Sequence, residues 1–88
     1  MIINCKYFKL IEKKDMQDGN FIPAYQKMLY ICTEDNLMQF ETVDDSDIKK
    51  IFWANEKEVV FIEETQEVWT EERLQQQQNE INGNFLNI

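Results

Sequence analysis

The residues Thr42–Phe61 read TVDDSDIKKIFWANEKEVVF and set the order of the predicted elements. Three aspartates occur within four residues, before a short stretch with apolar residues at helical spacing. Side-chain oxygens at a helix start accept hydrogen bonds from free backbone amides, and the helix dipole favours negative charge there. The stretch therefore predicts a helix that begins within residues 44–46 and ends with Asn55 as a left-handed cap.

Three strands are predicted before this helix. Residues 2–14 are rich in β-branched and aromatic side chains, and the Asp18-Gly19 pair that follows is favoured in two-residue hairpin turns. Pro23 cannot donate a ladder hydrogen bond, so we expect the second strand to begin near Ala24. The residues EDN at 34–36 predict another turn, with a third strand over residues 37–43.

The first turn predicts a register. A two-residue turn at Asp18-Gly19 sets Cys5 opposite Cys32 and Tyr7 opposite Tyr30.

The second turn predicts the register between the second and third strands. A three-residue loop with Asn36 in the left-handed region pairs Tyr30 with Phe40 and Cys32 with Met38. A two-residue loop would place the polar Gln39 and Glu41 on the apolar face, so the longer loop is preferred.

Two elements follow the first helix. The residues EVVFIEETQEV at 58–68 predict a fourth strand, and TEERLQQQQNEING at 70–83 predicts a helix that Thr70 opens and Gly83 ends. The predicted fold is therefore a single α+β domain over residues 1–88. It has an antiparallel sheet of about four strands in the order β-β-β-α-β-α. Three strands, a helix and a further strand also follow one another in the oligonucleotide-binding barrel, so an OB-like partial barrel is the alternative.

Length and composition restrict the class of protein. The 88 residues suit one domain of modest stability, and 43% hydrophobic residues supply a core. The sequence has no secretory signal or membrane-spanning run, so we expect a cytoplasmic protein with free thiols at Cys5 and Cys32. The bias towards Ile, Asn and Lys indicates an AT-rich coding genome, such as that of a low-GC bacterium or one of its phages or mobile elements.

Catalytic and metal sites are not expected. Histidine is absent, which removes the commonest general base near neutral pH and the commonest metal ligand. The aspartate cluster lacks the central glycine of a calcium loop. We therefore predict no enzyme activity, no cofactor and no metal site.

Charge is distributed unevenly along the chain. The net charge is −8, and residues 1–30 are slightly basic whereas residues 31–88 are strongly acidic. This balance opposes direct binding of nucleic acid, which depends on Lys and Arg. We predict a small acidic non-catalytic protein-interaction module that binds a basic surface on a protein partner. A phage or mobile-element inhibitor is one form of such a module, and DNA mimicry is a special form of the same idea.

The predicted partner-binding residues combine carboxylates with two aromatic anchors. They are Asp44, Asp45, Asp47, Glu56, Glu58, Glu63, Glu64, Glu67, Trp53 and Trp69.

The alternative function is single-stranded nucleic-acid binding or replication accessory work. Bases would stack on aromatic residues next to the lysines of the basic region. The candidates are Tyr7, Phe8, Tyr25 and Tyr30 beside Lys6, Lys9, Lys13, Lys14 and Lys27.

The C-terminal residues 83–88 are an apolar tail that contains Phe85, Leu86 and Ile88. These side chains have no evident place in the predicted core, so they complete the core, add an edge strand or dock onto a second copy. A homo-oligomer is therefore kept as an open alternative.

Overall fold

The computed structural model describes residues 1–43 and 50–77, which form a five-stranded antiparallel sheet, a two-stranded ribbon and one short helix. The helix, α1, covers residues 71–77 of the described chain. The strands are β1 (Ile2–Leu10), β2 (Lys14–Asp15), β3 (Phe21–Ile22), β4 (Lys27–Glu34), β5 (Leu37–Thr42), β6 (Ile51–Ala54) and β7 (Val59–Val68). The predicted α+β class with an antiparallel sheet is confirmed.

The sheet has the strand order β6-β5-β4-β1-β7, so β6 and β7 are its edges in the described part of the chain. Only Asn55 and the 3-10 turn Glu56–Glu58 connect these two edges. Four strand spacings cover about 19 Å in a flat sheet, and a connection that includes a 3-10 turn reaches less than this. The sheet must therefore curl, and Ala54 and Val59 pack in one buried cluster. The described strands do not close into a barrel.

The first hairpin has a loop one residue longer than predicted. The Met16 N–H donates to the Asn20 carbonyl at 2.8 Å, which leaves three loop residues, with Gly19 at φ +86°. This geometry is a type I turn followed by a glycine bulge. The extra residue shifts the register of β1 against β4, so Tyr7 lies opposite Leu29. The predicted Cys5–Cys32 and Tyr7–Tyr30 pairs are therefore wrong.

The second hairpin has a loop one residue shorter than predicted. Asp35 and Asn36 both have positive φ, at 50° and 67°, and they lie between the paired residues Glu34 and Leu37. Positive φ at both central positions is characteristic of a two-residue type I′ turn. The left-handed Asn36 is thus confirmed, and the three-residue loop is wrong.

A bulge shifts the register within this hairpin. The pairing shifts at Ile31, so Tyr30 still pairs with Phe40, as predicted, while Cys32 pairs with Gln39 instead of Met38. The bulge reconciles the short turn with a buried Phe40.

The first predicted helix is wrong where it can be compared. Residues 44–49, which include its start, lie outside the described residues, but residues 51–54 form β6 and pair with β5. Phe52 and Ala54 are buried and alternate with the more exposed Ile51 and Trp53, which is the period of a strand. The Phe52 ring packs on Phe40 with centroids 5.9 Å apart, and this tertiary contact overrides the weak helical spacing.

Asn55 begins the next turn and does not end a helix. Its φ is −88°, and its side chain accepts a hydrogen bond from the Lys57 N–H at 2.9 Å. The Glu58 carboxylate accepts from the Asn55 N–H at 3.1 Å, which completes a capping box.

The last two elements agree with the sequence in the described residues. The fourth predicted strand is β7, and the Thr70 hydroxyl accepts a hydrogen bond from the Arg73 N–H at 3.1 Å at the start of α1. The predicted helix end at Gly83 and the tail at residues 83–88 lie outside the described residues. No helix in the described part of the chain is long and apolar enough to cross a membrane.

The two faces of the sheet carry separate buried clusters. The ribbon face packs against the β2–β3 ribbon, and its buried residues include Leu10, Met28, Phe40 and Phe52, with Ile22 contributed by the ribbon. The helix face carries Cys5, Tyr7, Leu29 and Trp69, and Leu74 of α1 packs against them. Both faces of the sheet are therefore partly covered. The strand backbone remains accessible mainly at the two sheet edges.

Candidate interaction surface

The predicted carboxylates are divided among several places. Asp44, Asp45 and Asp47 lie outside the described residues. Glu56 and Glu58 belong to the 3-10 turn, while Glu63, Glu64 and Glu67 lie on β7.

Lysines lie among these carboxylates. The Lys14 ammonium is 2.9 Å from a Glu58 carboxylate oxygen, and the Lys27 ammonium is 3.2 Å from Glu63. Lys6 of β1 lies directly opposite Glu64 of β7. The predicted carboxylates in the described residues are therefore interspersed with lysines. The reason is topological, because the lysine-bearing β1 is the neighbour of the glutamate-bearing β7.

The Glu58 carboxylate is engaged in hydrogen bonds within the protein. Burial acts to raise its pKa, but hydrogen bonds from the Lys14 ammonium and the Asn55 amide outweigh this and lower the pKa of the carboxyl. Its charge is therefore retained at neutral pH and largely compensated by Lys14.

Glu67 has an internal role on the helix face. The Tyr7 hydroxyl donates to its carboxylate, and the Thr65 hydroxyl donates at 2.8 Å. These hydrogen bonds lower the pKa of Glu67, while burial and the bond to Glu67 raise the pKa of Tyr7. Both hydroxyls donate to the same oxygen, Oε2, so Glu67 holds Tyr7 in place through one side of its carboxylate.

The two tryptophans have different environments. Trp69 is only 8% exposed, and the Arg73 guanidinium lies 4.3 Å from its ring centroid. It is a core residue and not an exposed anchor. Trp53 is 37% exposed on the edge strand β6, so it remains accessible.

A buried ion pair holds α1 against the sheet. The Glu41 side chain is 1% exposed, and the Arg73 guanidinium donates to it at 2.7 Å. The Gln77 amide donates to the other carboxylate oxygen at 3.2 Å. Glu41 was expected to be unfavourable next to an apolar face, and Arg73, the only arginine in the chain, compensates its charge.

An exposed apolar group on β7 was not among the predicted site residues. Val60, Phe61 and Ile62 of β7 are 42%, 52% and 42% exposed. A bulge at this point of β7 shifts the pairing with β1 between Tyr7 and Phe8. The sequence signal was available, since three consecutive apolar residues cannot all face one core in a strand.

An aromatic row runs across the ribbon face. Ring centroids lie 5.5 Å apart for Phe61 and Phe8, 5.4 Å for Phe8 and Phe40, and 5.9 Å for Phe40 and Phe52. Tyr30 lies 6.0 Å from both Phe8 and Phe40. Each of the five strands thus contributes one ring. The row is closed at β6, where Phe52 is 3% exposed, and it is open at β7, where Phe61 is 52% exposed.

The residues proposed for stacking nucleic-acid bases are also divided. Tyr7 is buried beneath the Lys27 ammonium, and Phe8 and Tyr30 belong to the aromatic row. Tyr25 is 71% exposed, has a positive φ of 66°, and lies 5.6 Å from the Lys9 ammonium. Only Tyr25 is both fully accessible and next to a lysine among the four predicted aromatic residues.

The clefts give little indication of a small-molecule site. The cleft at the β4–β5 turn measures about 560 Å³ and is lined mainly by polar side chains. Its lining residues are Thr33, Asn36, Met38, Asn55, Glu56 and Lys57. Residues 1–43 and 50–77 contain no group of three or more potential metal ligands.

The thiols also lack the features of a reactive site. Both cysteines are free, and Cys5 is 1% exposed on the helix face. Burial, followed by the nearby Glu67 charge, raises the pKa of Cys5, and burial raises that of Cys32. Thiols with raised pKa values are poor nucleophiles at neutral pH.

Comparison with known proteins adds no assignment, since no family model, curated protein or solved structure matches this chain. The surface of the molecule is therefore the basis for inferring its function.

Proposed function

We propose that this chain is a small non-catalytic protein-interaction module that binds a partner with a basic surface through β7 and its neighbouring carboxylates. An inhibitor encoded by a phage or mobile element is one form of such a module, in keeping with the AT-rich composition. The proposal needs no cofactor and no metal.

The exposed apolar group of β7 is the observation that carries the proposal. β7 is ten residues long and pairs only with β1 in the described part of the chain. Edge strands are usually protected by charges, bulges or covering elements, and exposed apolar groups at an edge favour association with another chain. Val60, Phe61 and Ile62 together offer apolar contact at the centre of such an interface.

Charge supports the choice of a basic partner. The net charge of −8 steers a positively charged partner towards the molecule and speeds the encounter. Glu63 and Glu64 lie directly beside the apolar group. Glu63 forms an exposed ion pair with Lys27, and Glu64 lies opposite Lys6 in the sheet. Such surface pairs contribute little, about 0 to 1 kcal/mol, so a partner cation can replace them at small cost.

The test is affinity capture from cells of the source organism at low salt, followed by salt elution. The wild type is compared with a Glu63→Lys, Glu64→Lys variant and with a Glu12→Lys, Glu34→Lys control that has the same net charge. We expect a partner that elutes with salt, is retained by the control and is lost from the β7 variant. If both variants lost the partner equally, the interaction would be non-specific charge attraction, and the proposal would be contradicted.

The second candidate function is single-stranded nucleic-acid binding. The observation in its favour is the exposed Tyr25 ring beside Lys9, together with the Phe21 ring beside the Lys13 ammonium at 4.9 Å. Fluorescence titration with labelled single-stranded DNA at low salt distinguishes the two functions. Saturable binding that Tyr25→Ala removes would favour nucleic acid, because stacking on an aromatic ring contributes about 1 to 3 kcal/mol per base.

A further inference from the structure

We infer that the partner supplies an extended segment that adds to the sheet as a sixth strand beside β7. This inference rests on the proposed function and specifies the contact that the partner makes. The segment carries two adjacent basic residues followed by two adjacent apolar residues and runs antiparallel to β7.

The aromatic row is the first argument for strand addition. Every strand of the sheet contributes one ring to the row, and the ring at the β7 edge, Phe61, remains 52% exposed. A large apolar side chain on an added strand would lie opposite Phe61 and continue the row. Cross-strand pairs of this kind are the main side-chain contribution to sheet stability.

The backbone of β7 is the second argument. In the described residues, β7 uses one side of its backbone for β1, over the pairs from Ile2–Val68 to Leu10–Val59. The N–H and C=O groups on its other side are oriented for another strand, which is the mode of recognition called β-augmentation. All neighbouring strands in the sheet are antiparallel, and antiparallel pairing is slightly the more stable arrangement.

The register of β7 defines the chemistry of the segment. Phe61 and Glu64 lie on the ribbon face, opposite Phe8 and Lys6, while Val60 and Glu63 lie on the helix face. Ile62 is the bulge residue between them. An added strand therefore meets an apolar pair at residues 60–61 and an acidic pair at residues 63–64. An antiparallel segment that complements β7 therefore has, from its N-terminus, two basic residues followed by two apolar residues.

A second copy of this chain fits the same edge less well. Antiparallel pairing of β7 with itself about its centre brings Glu63 and Glu64 of the two copies together. Pairing about Phe61 instead sets Glu58 opposite Glu64. Like charges directly opposite each other destabilise a sheet, so opposite charge favours a different, basic chain.

The direct test uses a capped peptide with the sequence Lys-Thr-Thr-Lys-Lys-Phe-Val and the ¹⁵N-labelled full-length protein. We expect saturable binding with the largest amide shifts over residues 60–67. A scrambled peptide of the same composition, Thr-Lys-Val-Lys-Thr-Phe-Lys, should bind at least about tenfold more weakly, because its apolar and basic residues no longer match β7. Equal affinity of the two peptides would overturn the inference.

Backbone methylation separates strand addition from side-chain contact. Two forms of the peptide carry N-methyl groups on alternate residues, in opposite phase. Only one set of peptide N–H groups faces β7, so only one form should lose about tenfold or more in affinity. Equal binding of both forms would contradict strand addition.

A variant pair locates the contact. Phe61→Ser should abolish detectable peptide binding, whereas Phe21→Ser, which removes a ring with a similar 50% exposure, should leave it unchanged. Absence of peptide binding to the wild type would overturn this inference. Salt-sensitive capture that depends on Glu63 and Glu64 would in that case still support the proposed function, so the two failures are distinguishable.

Discussion

Individual side chains show how an acidic chain builds two buried clusters. Glu41 and Glu67, two carboxylates on the helix face, each have a specific partner: Arg73 for Glu41 and Tyr7 for Glu67. Buried or half-buried carboxylates without such partners would cost several kcal/mol. Charge on the helix face is therefore part of the stabilising network.

Tyr7→Phe should make the free energy of unfolding less dependent on pH in the acid range. In the folded protein the hydrogen bonds from Tyr7 and Thr65 lower the pKa of Glu67 below its ordinary value of 4.5. A lowered folded pKa gives stability that is fully present above the unfolded pKa and is lost as pH falls through the folded pKa. Removing the hydroxyl should cost about 1.5 kcal/mol at pH 7 and flatten the stability curve as pH falls below the ordinary carboxyl pKa.

Urea unfolding at a series of pH values measures this effect. Tyr25→Phe is the control, because the Tyr25 side chain is 71% exposed. A Tyr7→Phe variant with the acid dependence of the wild type would show that the hydroxyl does not stabilise ionised Glu67.

At the scale of elements, α1 is attached to the sheet by few contacts. Leu74 is the only residue of its described turns in the apolar packing, and Arg73 and Gln77 supply the polar contacts with Glu41. A short helix with so narrow an apolar stripe depends on tertiary contacts for its stability.

Arg73→Met should destabilise the protein by about 3 kcal/mol, because Glu41, 1% exposed, would lose the cation that compensates it. The double variant Glu41→Met, Arg73→Met should recover at least half of that loss. Chemical denaturation compares the three proteins, with the exposed Glu71→Met as the control. A double variant less stable than Arg73→Met would mean that packing, and not the unpaired charge, accounts for the loss.

The strand β6 makes a second prediction at this scale. Phe52→Ala should cost about 3 to 5 kcal/mol, since it removes a ring that is 3% exposed and packed on Phe40. Trp53→Ala should cost about 1 kcal/mol or less, because Trp53 is 37% exposed on the neighbouring position. Thermal unfolding distinguishes the two variants. Similar losses would be inconsistent with the strand alternation of residues 51–54.

At the scale of the whole molecule, charge and edge exposure act against each other. The net charge of −8 keeps copies apart, whereas the exposed apolar group of β7 favours contact. The arrangement is consistent with a molecule that associates with an oppositely charged chain in preference to itself.

Self-association should therefore depend on pH. At pH 7 repulsion should keep the protein dispersed, and near the sequence pI of about 4.4 it should associate. Phe61→Lys should reduce this association, and the control Phe21→Lys, with the same charge, should not. Light scattering measures the effect while circular dichroism checks that the fold persists. Association that is equal in both variants would exclude the β7 edge as the contact.

The sequence by itself determined the elements that depend on local chemistry. Alternating β-branched and aromatic residues predicted β1, β4, β5 and β7, and Thr70 predicted the start of α1. The left-handed Asn36 was also predicted, because asparagine tolerates positive φ. The sequence also established the net charge and its bias towards residues 31–88.

Only the tertiary structure decided the register, the identity of β6 and the surroundings of the carboxylates. One residue more in the loop at Gly19 and one fewer at Asn36 change which side chains meet, and local signals are too weak to count loop residues. Residues 51–54 form a strand because the Phe52 ring packs against Phe40 of the neighbouring strand. Glu64 lies beside Lys6 because β1 and β7, far apart in the sequence, are adjacent in the sheet, and a pattern read along the chain contains no information on such long-range pairing.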